Sequence, residues 1–236
     1  MKNLIVILSL FLYSQLFAQE VAKFSLKTDE DRLDYPVSVS LDGLNYNTDK
    51  GNLVLYEITN SGEKEIPCQL EPGHSANLWF ILNGKSEKGS SREFVLKSET
   101  QATPNAKSIT LEKTDNDLKI LAGENPVLNY RHGTMYPPAE ADPLYKRSGF
   151  IHPLWSPGGE VLTRIQPPDH YHHYGIWGPW TKTHIGEREV DFWNLAKGQG
   201  TVKFASFLSE GQGDVFSGIK DLQHHDDYDG HGPDQV

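Results

Sequence analysis

Hydrophobic and polar positions alternate in short runs along most of the chain. Val37, Val39 and Leu41 are interleaved with Ser38 and Ser40, the two-residue period of a strand with one face in a core. A second run, 53–58, follows the turn-forming Asp49-Lys50-Gly51, whereas 78–82 and 94–96 are continuous apolar stretches, short enough to be strands buried on both faces. Polar triplets that carry glycine, such as Asn60-Ser61-Gly62, separate the runs. Further on, Ile109 and Leu111 alternate, Asp115-Asn116-Asp117 reads as a turn, 118–121 supplies the return strand of a hairpin and 127–130 another strand. No stretch carries a convincing 3.6-residue period, and there is no internal repeat or heptad, so the pattern predicts an all-β protein.

Strand spacing divides the chain. A small immunoglobulin-like sandwich is expected over 19–99, then a polar linker with Pro104 over 100–108, then a larger antiparallel β-sandwich over 109–236. In the last of these, 217–222 reads as a strand that passes into polar turn residues, from His224-His225-Asp226-Asp227 to His231-Gly232-Pro233. A sheet stopping there would leave an edge or an apolar face uncovered, so the second sandwich is expected to be incomplete at its C-terminus.

Residues 1–18 change the picture of location. Lys2, the apolar stretch 4–17 and the Leu16-Phe17-Ala18 site read as a signal peptide, with cleavage before Gln19 and export to the periplasm or the exterior. The stretch is short and broken by Ser9, Ser14 and Gln15, so no membrane span is expected after cleavage. Cys68 is the single cysteine, which excludes an internal disulfide and leaves stability to core burial. A net charge of −10 disfavours nucleic acid and anionic membrane surfaces as partners.

Candidate chemistry concentrates in residues 130–193, where histidines, tryptophans and arginines lie among prolines and glycines. The densest part is Pro167-Pro168-Asp169-His170-Tyr171-His172-His173-Tyr174-Gly175-Ile176-Trp177. If it is extended, His170 and His172 project from one face about 6–7 Å apart and His173 from the other. Two imidazoles at that spacing can converge on one divalent metal, with His152, His184 or Asp191 as third ligand. They can equally serve as general acid and base, or hydrogen-bond carbonyls within an aromatic core, and the three readings stay open. Asp169 is a turn residue, or orients an imidazole or ligates a metal. His74 reads as a loop histidine.

Arg131, Arg147 and Arg164 each read as surface guanidinium groups, with carboxylate or polyol recognition as the alternative. Trp155, Trp177, Trp180 and Trp193 suit the core individually, and with Tyr171 and Tyr174 they suit a platform for sugar-ring faces. Ser156-Pro157-Gly158-Gly159 reads as a tight hairpin turn, not a phosphate loop. The expected site therefore has Asp169, His170, His172 and Asp191 as catalytic groups, with Arg131, His152, His173, Trp177, Trp180 and Trp193 contacting substrate. His170 and His172 are expected to share one pocket with His152, Arg131 and Asp191.

Tyr130-Arg131, Phe150-Ile151-His152-Pro153-Leu154, the stretch from Ser156 to Thr163, Pro168-Asp169-His170-Tyr171-His172-His173-Tyr174-Gly175-Ile176-Trp177 and Asp191-Phe192-Trp193 resemble the bacterial family labelled "methane oxygenase PmoA", over about 109–222. The preceding unit resembles the small β domain fused to it in Bacteroidetes-type exported proteins. The resemblance implies a soluble β-sandwich similar to the galactose-mutarotase supersandwich, working near carbohydrate metabolism. It makes Asp169, His170, His172 and His173 the principal positions and Arg131, His152 and Asp191 the supporting set. Three functions follow as expectations: an enzyme acting on sugars or glycans (hydrolase, lyase or epimerase), a copper- or iron-dependent oxidoreductase as the label suggests, or a non-catalytic glycan-binding module.

Overall fold

The computed structural model describes residues 19–46, 51–71, 76–99 and 109–228. The expected signal peptide, the linker 100–108, His74, the Asp49-Lys50 part of the first turn and the closing residues 229–236, with His231, lie outside the described residues. The protein is nearly all β, with several antiparallel sheets and two short 3-10 turns among the described residues. No helix in these residues is long and apolar enough to cross a membrane. The chain divides into two compact units, one drawn from Met1–Val37, Leu41–Cys68 and Phe80–Pro104, the other from Ser38–Ser40, Gln69–Trp79 and Asn105–Val236.

In the first unit, β1 (Gln19–Lys27), β7 (Ser91–Glu99), β3 (Asn52–Thr59) and β4 (Gly62–Ile66) form one antiparallel sheet in that order. A second sheet has the order β2 (Arg32–Ser40), β6 (Asn77–Ser86), β5 (Cys68–Leu70). Phe94, Val95 and Leu96 are all buried, so β7 is covered on both faces at this point, which accounts for the unbroken apolar run. Phe24 of β1 and Phe94 of β7 stack at 5.4 Å, and Phe80 of β6 meets Phe94 at 5.2 Å. These rings join the two sheets, and full burial of Phe80 and Phe94 contributes about 1.5–3 kcal/mol each. Half-buried Cys68 directs its thiol to the Leu53 carbonyl at 3.7 Å, and burial pushes that thiol up to about 11.

The second unit is built on a meander. Strands β8 (Ile109–Lys113), β9 (Asp117–Ala122), β10 (Asn125–Arg131) and β11 (Phe150–Leu154) lie side by side in chain order. Leu118 and Ile120, alternate residues of β9, are buried with Tyr130. Between β10 and β11 the chain leaves the sheet and is pinned by Met135–Arg147 backbone hydrogen bonds of 2.8 and 3.0 Å. A small hairpin, β12 (Thr183–Ile185) and β13 (Arg188–Val190), precedes the long antiparallel ribbon of β14 (Gly200–Gly211) and β15 (Gly218–Asp227).

The ribbon corrects one expectation. His224 to Asp227 are not turn residues but the end of β15, with His225 opposite Val202 and His224 opposite Lys203. Exposed His224 and half-buried His225 show why the polar composition misleads: this strand keeps one face towards solvent.

Candidate functional site

The histidine segment folds as a closed loop rather than a strand. Ile165 bridges Tyr174, and the Gln166 amide donates to the His173 carbonyl at 2.8 Å, so the ends are tied together. Within the loop, the His170 amide donates to Pro167 O (2.8 Å) and the His173 amide to His170 O (3.0 Å), two successive turns. Pro167 and Pro168 have fixed φ and no N–H, which favours turns over a paired ladder. The extended geometry expected for 169–173 is therefore corrected.

The turns gather all three imidazoles on one side. The His170 and His172 rings are 5.6 Å apart, His173 stacks on His170 at 4.8 Å, and His172 meets His173 edge-on at 4.5 Å. His173, expected on the opposite face, is thus in the cluster. Trp193 adds its ring at 4.8 Å from His172 and 5.5 Å from His173, and Trp177 lies 6.3 Å from His173. Asp169 holds His170 Nδ1 at 2.9 Å on the solvent side, where both side chains are at least half exposed. This contact lowers the Asp169 pKa.

His172 lies deeper, only 9% exposed. Burial lowers its pKa first, then the charges of His173, His170 and Arg147, with Asp191 opposing. The ring is therefore held neutral near pH 7. Nε2 of His172, Nε2 of His173 and the indole Nε1 of Trp177 are buried with no hydrogen-bond partner among the described residues. Buried polar atoms are rarely left so, and several converging are a mark of a ligand site.

Asp191 is committed locally. Its Oδ1 accepts from the amides of Trp193 and Asn194, each at 2.9 Å, and its Oδ2 pairs with Lys197 at 2.8 Å. Burial pushes its pKa up, but the Lys197 contact and the Asn194 and Trp193 amides outweigh that, and the net shift is downward. It shapes the turn presenting Trp193 and reaches His172 only through charge.

Arg131 and His152 are joined to each other. Arg131 pairs with Asp117 at 2.7 Å and donates from Nε to the His152 carbonyl at 3.1 Å. His152 Nδ1 sits 2.9 Å from Thr163 Oγ1, an oxygen that also accepts from the Leu154 amide at 3.0 Å. Burial and then the Arg131 charge lower the His152 pKa. The histidine segment passes next to His152 at Gly175, where an added Cβ would lie 3.2 Å from His152 Cβ. Trp180, largely exposed, stacks on His225 at 4.3 Å. His184 is exposed on β12. Among the described residues no group of three or more His, Cys, Asp or Glu is placed to hold a metal ion.

Two residues outside the expected site belong here. Arg147, read as a surface group, is 1% exposed, with Nη2 donating to the Phe192 carbonyl at 3.0 Å. His225 lies against Trp180 and edge-on to Phe192 at 5.0 Å.

Fold and site together define an all-β protein whose second unit carries a turn-built histidine cluster framed by tryptophans. Residues 117–233 match the family described as a family of unknown function, DUF6807, and the chain is similar to that family over this segment. This corrects the resemblance to the family labelled methane oxygenase PmoA: the family found is a different one, without an assigned chemistry, and the residue roles carried over from that label fall away. No curated protein and no solved structure matches the chain.

Proposed function

We propose that the second unit belongs to an exported enzyme that acts on a sugar or glycan, with His172 moving a proton at a substrate hydroxyl or C–H. The observation that carries this reading is the buried, neutral His172, whose Nε2 has no partner among the described residues while the Trp193 ring stands 4.8 Å away. A neutral imidazole accepts a proton at little cost near neutral pH, and an indole face suits the C–H face of a sugar ring. His170, polarised by Asp169, stands at the exposed end of the cluster to exchange protons with solvent. Asp191 acts as a positioning residue through Trp193.

A screen of the purified full chain against sugars and oligosaccharides, with products followed by chromatography, tests the reading. His172→Ala is expected to lower turnover about 100-fold or more with cooperative unfolding retained. Unchanged turnover in that variant would remove His172 from the chemistry. A second reading, a glycan-binding module, draws support from Asp169 being the one carboxylate hydrogen-bonded to these imidazoles among the described residues, and exposed. Binding without turnover in the same screen would favour it.

A further inference from the structure

Exposure falls from His170 through His172 to Arg147, and the deepest of the three is a cation. Of the five N–H donors of the Arg147 guanidinium, one Nη2 hydrogen meets the Phe192 carbonyl at 3.0 Å. Nε and Nη1 have no hydrogen-bond partner among the described residues. The rings of Tyr174 and Trp177 lie 5.9 and 5.8 Å from Cζ, at the outer limit of about 6 Å for cation–π attraction. The phenols of Tyr174 and Tyr228 oppose the effect of burial on Arg147.

Burial drives the Arg147 pKa down to about 10, so it stays charged at neutral pH. An unpaired buried cation is among the costlier arrangements in a folded protein, and it persists where something binds it. Its neighbours point the same way: His172 and His225 both feel its charge, and their Nε2 atoms, with Trp177 Nε1, are buried and unpartnered among the described residues. The unsatisfied guanidinium and indole N–H groups are donors, and so is His225 Nε2 in its Nε2–H tautomer, which matches the oxygens of one anion, while His172 Nε2 is left as the proton acceptor of the neighbouring cluster.

We propose that Arg147, with His225 and the Trp177 indole, is a receptor for an oxyanion, and that the substrate of the neighbouring cluster is an acidic sugar whose carboxylate pairs with Arg147. The carboxylate enters deepest, and the ring lies outward against Trp193 and His170. Entry requires Trp177, half-buried on a segment without strand or helix, to turn aside. The sugar part rests on the function proposed above; the anion receptor rests on Arg147 and its unpartnered neighbours.

The test titrates the full chain with D-glucuronate, D-glucose and inorganic sulfate, following melting temperature and the His172 and His225 ring resonances. Glucuronate is expected to bind at least tenfold more tightly than glucose, to be competed by sulfate, and to lose its advantage in Arg147→Gln. Should that variant not fold, Arg147→Lys and the sulfate competition in the unaltered protein decide. Equal affinity for glucuronate and glucose would overturn the acidic-sugar receptor while leaving the sugar reading standing. Sulfate perturbing both histidines with neither sugar bound would support the receptor and defeat the sugar reading. No perturbation of either histidine by glucuronate or sulfate would overturn the receptor.

Discussion

Asp191 accepts two backbone amides and a lysine, in the manner of a residue that caps a turn. Its removal leaves the Trp193 and Asn194 amides without their acceptor in a partly buried setting, so Asp191→Ala is expected to destabilise the protein by about 1–3 kcal/mol. Lys197→Ala should have a much smaller effect, since the lysine end of that pair is half exposed. Urea denaturation compares the two, and a red shift of tryptophan emission in Asp191→Ala alone would report Trp193 leaving its place. At this scale the sequence makes Asp191, His170 and His172 candidates by residue type. It could not separate a carboxylate that builds the site from one that reacts, because that depends on which N–H groups the fold aims at it.

Among elements, the backbone hydrogen bonds between Ile151 and Ile176, 2.8 and 3.1 Å, tie the end of the histidine segment to β11. Gly175 sits in that bridge with φ +49°, and a Cβ there would lie 2.2 Å from the Ile151 carbonyl oxygen. Gly175→Ala is therefore expected to cost about 2–4 kcal/mol, because the neighbour is backbone and cannot swing away. Gly159→Ala, also at positive φ but facing open space, should cost only about 1 kcal/mol. Differential scanning calorimetry of the two variants checks the contrast.

The same scale shows what was legible. Alternation at Ile109 and Leu111 and the turn after them yielded the β8–β9 hairpin, and the apolar runs 78–82 and 94–96 fall in β6 and β7. The histidine loop was not legible. Consecutive aromatic and polar residues fit a strand as well as turns, and the choice is made by long-range ties at Ile165–Tyr174 and Ile151–Ile176. Arg147 escaped for a related reason, since a charge is ordinarily solvated and nothing local announces burial.

Across the whole molecule, His152, His172 and His225 are all depressed, in each case chiefly by burial. For a histidine lowered in the fold, the unfolded chain binds the proton more readily. The stability is then fully present above the unfolded pKa of about 6.5 and is lost as pH falls through the folded values. Acidification from pH 7.5 to 5 is therefore expected to lower the denaturation midpoint. The chain's charge of −10 adds an opposite trend, because protonation relieves self-repulsion. The comparison to make is thus between the unaltered protein and His172→Gln in guanidinium titrations at several pH values. The glutamine variant should show the shallower acid loss, and identical slopes would mean that His172 is not buried neutral.

Cys68 gives the first unit a built-in clock. Alkylating reagents attack the thiolate, and a shift from about 9 to about 11 leaves about a hundredfold less of it at pH 8 than an unfolded chain carries. With its sulfur held against the Leu53 carbonyl, labelling proceeds chiefly through the moments when β5 and β3 part. Since this is the chain's one cysteine, the rate at which the protein gains a single adduct times the breathing of that sandwich without introducing a probe.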